Sequence, residues 1–433
     1  MILTLTTILT LVAPDPPPLE DHARAFVAAL ARGDYAAAGQ DFDEAMRKAM
    51  PADKLERFWK SLAAQGGPFQ KVLTARAEAV DPYTRVHVVC QFEKVRFDVR
   101  VVYDRDRKVT GLNVLPVEDP ADFPPPPYAD RAKFRESEVT VSPGEWALPG
   151  TLTVPAGDGP FPAAVLVHGS GPHDRDETIG KAKVFRDLAW GLASRGVAVL
   201  RYEKRTQAHG AKFAAQKSYT LREEVTDDAA AAAELLRRTP GIDPKRVVVV
   251  GHSLGAMAAP RIARQDGKLA GIVVMAAPTR PITDVMLEQV AYVPTVKEKL
   301  SDADKAFLDK IKSTAERLKK GDVKPDTPAS ELAFAPGSYW LDFAACKPAA
   351  EAAALDLPIL VMQGGRDYQT TMADFRGWES ALAGLPKATL KSYPKLNHAF
   401  VPGEGTSRPQ EYEQPGHVDP AVVEDLAAWI KRR

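Results

Sequence analysis

Residues 246–255 read Arg246-Val247-Val248-Val249-Val250-Gly251-His252-Ser253-Leu254-Gly255, and the run Ala256 to Arg264 follows them without a break. A short β-branched apolar run of this kind reads as a strand covered on both faces. The Ala-rich run after it reads as a helix. A serine between the two, with glycine two before and two after, predicts a tight, strained strand-to-helix turn that lifts its hydroxyl clear of the sheet. The helix beginning beneath that turn adds unbonded N–H groups and a dipole that favour developing negative charge. The G-x-S-x-G pattern alone arises by chance in roughly one chain in ten of this size. The strand and helix around it carry the weight, and they make Ser253 the candidate nucleophile.

Further apolar runs flank this one: Pro162 to His168, Val197 to Tyr202, Ala270 to Met275, Leu357 to Met362 and Thr389 to Tyr393. Helical segments lie between them, notably Glu223 to Arg238 and the last, Val422 to Arg433. Alternating strand and helix predicts an α/β fold, a mostly parallel sheet with helices on both faces. Residues 278–346 interrupt the alternation with a charged helix, Val296 to Lys320, and the aromatic stretch Tyr339-Trp340-Leu341-Asp342-Phe343. An insertion at the C-terminal edge of a parallel sheet lies where ligands bind, so it is expected to form a lid.

A serine nucleophile needs a base, and the base needs a carboxylate to fix its tautomer. In this architecture the order along the chain is serine, acid, histidine, each after a later strand. Asp367, in Gly364-Gly365-Arg366-Asp367, follows the strand ending at Met362, and His398, in Asn397-His398, follows the strand ending at Tyr393. His417 is the rival in the correct order, but it lies far beyond the last strand in a Pro- and Glu-rich loop. The stretch His168-Gly169-Ser170-Gly171-Pro172 ends an earlier strand and supplies the second donor of an oxyanion hole, Ser170 N–H or alternatively Gly171 N–H, opposite Leu254 N–H. His168 is read as supporting that loop. The implied chemistry is acyl transfer through a covalent intermediate on Ser253, with no metal or organic cofactor required.

The remaining sequence bounds this reading. Lys plus Arg and Asp plus Glu number 57 each, so no basic field marks a nucleic-acid partner. Cys90 and Cys346 are too far apart in sequence for a metal-ligand spacing and are read as two lone buried thiols. Residues 1–13 form a weakly apolar run of signal-peptide length that lacks a preceding Lys or Arg; export is expected, with cytoplasmic residence as the alternative. No later stretch is long and apolar enough for an integral membrane segment. Residues 20–65 read as helix and 70–115 as antiparallel strands, a small α+β domain over 20–117. The prolines Pro124 to Pro127 mark a linker over 118–135, with the α/β domain spanning 136–433.

Taken together, the motifs resemble those of bacterial α/β-hydrolases of the EstD-like esterase and serine-aminopeptidase-like group. The resemblance covers roughly residues 136–433. It rests on HGSGPHDRDETIG (His168 to Gly180), Phe185-Arg186-Asp187-Leu188-Ala189, Leu200-Arg201-Tyr202-Glu203-Lys204-Arg205, GHSLGAM (Gly251 to Met257), GGRD and Asn397-His398. Glu203 stands where the pattern leads one to expect Asp. The resemblance implies the α/β-hydrolase fold, an N-terminal domain of unknown function, and carboxylesterase activity on short-acyl esters. It also places Asp174-Arg175-Asp176-Glu177 beside the oxyanion turn, where ion pairs are expected to shape the mouth of the cleft. The competing expectations are a short-peptide serine peptidase and, in another class, a non-catalytic binding protein on a hydrolase fold. The partner expected is a small-molecule ester; oligomeric state is not legible.

Overall fold

From Tyr83 to Phe92 every second side chain from Val86 onward (Val86, Val88, Cys90, Phe92) is buried, the period-two pattern of a sheet with one covered face. The computed structural model describes residues 17–117, 123–296 and 300–433. The expected export signal over 1–13 therefore lies outside the described residues, as do residues 118–122 of the linker. The chain divides into two compact units, Met1–Asp122 and Phe123–Arg433.

In the first unit, strands β1 (Phe69–Val80), β2 (Tyr83–Phe92), β3 (Arg96–Tyr103) and β4 (Val109–Val117) form an antiparallel meander. Their apolar face shares a core with the preceding helices through Phe26, Leu30, Leu55, Trp59, Val88 and Val99. The stretch read as one helical region is four helices: Leu19–Ala31, Tyr35–Ala38, Glu44–Ala49 and Ala52–Gly66. Asp34 and Asp43 cap two of them, their carboxylates accepting from Ala37 N and Met46 N. Cys90 lies fully buried in this core, and burial, with Asp98 nearby, pushes its thiol up to about 12.

The second unit is built on an eight-stranded sheet. Its strands are β5 (Phe134–Val141), β6 (Leu148–Pro155), β7 (Phe161–Val167), β8 (Ala198–Tyr202), β9 (Ile242–His252), β10 (Gly271–Met275), β11 (Ile359–Gly364) and β12 (Ala388–Tyr393). Across the sheet they run β12-β11-β10-β9-β7-β8-β6-β5. From β12 to β8 neighbours are parallel; β6 and β5 add an antiparallel edge. Along β7, Ala163, Val165 and Val167 face one core while Ala164 and Leu166 face the other, so both sides of the strand are dry. The chain leaves β7 for β8 on one side and returns to β9 on the other. The loops after β7 and β9 thus meet at a topological switch point, where α/β sheets bind ligands.

Strand β5 begins at Phe134, inside the stretch read as linker. Arg186 donates to the carbonyls of Phe123 and Pro124, holding the start of the proline run within this unit. The expected single helix from Val296 to Lys320 is corrected: one helix, Ile282–Val296, ends there, and another runs Asp302–Lys320. Ser301 and Asp304 form a capping box that starts the second, a signal that the apolar spacing alone had masked. The aromatic stretch lies on a third helix, Gly337–Ala345, with Tyr339, Trp340 and Phe343 buried. Cys346, after it, is half-buried rather than buried, and burial pushes its thiol up to about 12. No helix among the described residues is long and apolar enough to cross a membrane.

Candidate active site

Strand β9 ends at His252, and Ser253 follows with φ 53° and ψ −112°, a left-handed conformation that ordinary residues avoid. Both glycines of the motif are demanded by space. A Cβ on Gly251 would lie 2.3 Å from the Gly255 carbonyl oxygen, and one on Gly255 would lie 2.1 Å from the Val167 carbonyl oxygen. The turn is pinned to the neighbouring strand by Ser253 N–H donating to Met275 O at 2.9 Å. Helix Leu254–Asp266 starts at once, so Leu254 N–H belongs to the first turn, where donors lack intrahelical partners.

Asp367 and His398, far apart in sequence, meet at this edge. His398 Nδ1 lies 2.6 Å from Asp367 Oδ2, and both side chains are buried. The carboxylate is held from every side. Gln369 N (2.7 Å) and Thr370 N (3.1 Å) donate to Oδ1; the Thr370 hydroxyl (2.8 Å) and the Gln363 amide (3.1 Å) donate to Oδ2. Asn397 folds back so that its Oδ1 accepts from Ala399 N and Val401 N, forming the turn that presents His398. The imidazole of His398 packs 4.7 Å, centroid to centroid, from that of His252, the residue before Ser253. His417 is engaged elsewhere: its Nδ1 lies 2.9 Å from the buried Asp187.

The loop after β7 is oriented from behind. A trans peptide points its C=O and N–H in opposite directions. Lys204 Nζ donates to the Gly169 carbonyl at 2.8 Å, so Ser170 N–H points away from it. Ser170 O in turn receives a ring N–H of His173 at 2.9 Å, which orients the Gly171 peptide in the same way. Ser170 and Ser253 share one cavity of about 310 Å³ that Gly171 does not line. His168 supports the loop, donating to Asp174 O at 3.0 Å; burial lowers its pKa to about 3 and keeps it neutral. Beneath the loop, Lys204 pairs at 2.7 Å with Glu224, both nearly inaccessible.

The rest of the cavity is mainly apolar, with Gln289, Gln369 and Thr370 adding polar groups. Leu254 and Met257 form its floor, while Ile282, Met286, Leu308 and Trp340 come from the three helices of the insertion. The acidic loop 174–177 is tied down by ion pairs, Arg175 with Glu203 and Glu138, Asp176 with Arg201 and Lys183. Glu203, the residue that departs from the resemblance, thus has a partner of its own. Glu177 does not stand at the cleft mouth. It is wholly buried beneath the site with φ 45°, accepting Gly169 N–H at 2.6 Å and lying 3.1 Å from His252 Nδ1. Sequence reasoning missed Glu177, Lys204 and Thr370 as site residues. Of these only Lys204 left a usable signal, a lysine directly after a buried strand.

A strand-to-helix serine turn on a mostly parallel sheet, with Asp and His on later loops, defines an α/β hydrolase. Residues 164–414 match the Alpha/beta hydrolase family, and the chain belongs to it. Its sequence is similar to Esterase EstD of Thermotoga maritima, 35% identical over 411 residues that cover 95% of each chain. Residues 23–112 match a separate family described only as a protein of unknown function (DUF3887). Among solved structures, a Pyrococcus furiosus esterase aligns with a TM-score of 0.45 and 16% identity, over 74% of this chain and 96% of that one. The 2,6-dihydroxy-pseudo-oxynicotine hydrolase aligns with a TM-score of 0.43 and 15% identity, over 69% and 67%.

Proposed function

We propose that this protein is a serine carboxylesterase acting on small, short-acyl esters. The observation that carries the reading is the 2.6 Å bond between His398 and Asp367 at the sheet edge where Ser253 occupies its strained turn. With Nδ1 donating to the carboxylate, the free Nε2 of His398 is the acceptor for the Ser253 proton. Oγ then attacks the ester carbonyl, and the oxyanion is received by Leu254 N–H and Ser170 N–H. His398 returns the proton to the leaving alcohol. Water, deprotonated by the same imidazole, releases the acid and restores Ser253. Every proton is accounted for by one imidazole.

The apolar cavity beside Ser253 is the proposed acyl site, and the insertion acts as its lid. Its volume of about 310 Å³ lies at the lower end of ligand pockets, which favours small substrates. A fluorophosphonate probe tests the nucleophile: the full chain is expected to label, and Ser253→Ala is expected not to. Failure of the wild type to label removes the reading. Turnover of p-nitrophenyl acyl esters is expected to exceed that of aminoacyl anilides; the reverse order would make the enzyme a peptidase.

A further inference from the structure

Beneath Ser253 a buried chain of polar groups connects the loop bearing Ser170 to the loop bearing His398. Gly169 N–H donates to Glu177 Oε1 at 2.6 Å; Glu177 Oε2 lies 3.1 Å from His252 Nδ1; His252 Nε2 lies 2.9 Å from the carbonyl oxygen of His398. Glu177 is fully inaccessible and His252 nearly so. The first link fixes the loop bearing Ser170, the last fixes the backbone of the base, and His252 between them adjoins the nucleophile.

The chemistry of the chain sets its protonation. The His398 carbonyl only accepts, so His252 Nε2 carries a hydrogen. Between Nδ1 and the carboxylate there must then be one more proton, or a nitrogen lone pair would face an anion where water cannot reach. Other titratable groups converge on the couple. His173 and His168 face Glu177, with Lys204 behind the same loop, while Asp367 and the His398 backbone face His252. Burial alone would raise Glu177, but His252 more than offsets it and holds the carboxyl at about 2. Burial alone would lower His252, and Glu177 outweighs that, leaving it raised. The couple is therefore imidazolium and carboxylate.

We propose that Glu177 and His252 form a buried ion pair that acts as a positioning couple, locking the Ser170 loop to the backbone of His398 through the residue beside Ser253. The role rests on the esterase reading, because it positions that reaction's donors and base. The test uses the full chain. Glu177→Ala is expected to lower kcat on the order of 10²-fold, with KM within about threefold, as displaced reacting groups do. Glu177→Gln keeps an acceptor for Gly169 N–H and offers an N–H to a neutral His252, so it is expected to recover most of that loss. In wild type, activity falls at alkaline pH as the couple gives up its proton; the Gln variant has no such proton and loses that limb. In ¹⁵N-histidine-labelled protein, His252 is expected to be doubly protonated at pH 7 in wild type and neutral in Glu177→Gln.

Equal losses in the two variants, following only their melting temperatures, would reduce Glu177 to a structural residue and overturn the proposal. So would a neutral His252 in wild type. If Glu177→Ala fails to fold, the pH profile and histidine spectrum of Glu177→Gln decide alone. Failure of wild type to label with fluorophosphonate would remove the esterase reading, while the spectrum would still report on the couple.

Discussion

Glu177, Ser253, Ala276 and Phe400 all have φ between 45° and 58°, and all lie on loops at the C-terminal edge of the second sheet or beneath them. Each such residue costs on the order of 1–3 kcal/mol, and strain of this kind persists only where its surroundings over-determine it. At Ser253 the surroundings are backbone. Gly255→Ala would drive a Cβ against the Val167 carbonyl, which cannot swing aside as a side chain would. Urea unfolding is expected to show a loss of at least ~2 kcal/mol, together with lost probe labelling. Asp367→Asn is a gentler change. The amide can donate to His398 Nδ1 and so leave the hydrogen on Nε2, the wrong tautomer for a base. Steady-state kinetics should show kcat lower by roughly 10⁴-fold with the fold intact. The Glu177–His252 couple predicts a stability profile as well as a rate. Glu177, held at about 2 against an ordinary 4.5, stabilises the fold above 4.5 and loses that contribution as pH falls toward 2. His252, raised above 6.5, stabilises the fold below 6.5 and loses that contribution as pH rises through its folded value. Melting temperature should therefore plateau between these flanks, and Glu177→Gln should flatten both. Ser253, Asp367 and His398 could be picked out as candidates because each lies on the loop after a strand, in the chain order that this architecture expects. The couple was not: Glu177 reads as one more charge in a hydrophilic turn, and only the close packing of a loop 75 residues before His252 shows it turned inward.

At the scale of elements, the parallel strands from β11 to β8 could be read from their sequence because both faces are dry and the runs are nearly continuous, whereas edge strand β12 has no buried residue. Strands β5 and β6 were not legible, since their polar positions look like those of a loop. Thr151 and Thr153 are buried, yet they bond to Glu138 and Glu136 across the strand pair and leave no apolar signature. The insertion was legible as an insertion, whereas its internal break lay hidden under helical spacing that continued across it. Its three helices supply most of the apolar walls of the Ser253 cavity, so acyl preference should respond to changes there. Met286→Trp is expected to depress kcat/KM for hexanoyl esters far more than for acetyl esters, measured over an acyl-chain series. The support beneath the Ser170 loop is a separate matter of charge. Lys204→Met would strip both the Gly169 carbonyl and the buried Glu224 of their cation. An uncompensated buried charge costs about 3–5 kcal/mol, and chemical denaturation should register a loss of that order.

On the scale of the whole molecule, each unit has a core of its own, and no residue of the first unit's core belongs to the others. A fragment of residues 123–433 is therefore expected to fold and to keep ester turnover within about threefold of the full chain. Loss of activity in a folded fragment would show that the first unit serves catalysis directly. Within the second unit, the irregular segment 394–419 shows how little regular structure a site of this kind needs. Arg366, next to Asp367, donates to the carbonyls of Glu404 and Gly405 and pairs with Glu411 at 2.6 Å. Tyr292 from the insertion donates to Ser407 O, and Lys181 N–H donates to Tyr412 O. Exposed irregular chain is where proteolytic nicking concentrates, yet this lacing holds the segment in place, so it should resist limited digestion by a glutamate-specific protease. Arg366→Ala would unlace it, and the first nick should then fall after Glu404, whose carbonyl Arg366 holds, cutting the polypeptide between His398 and the rest of the segment.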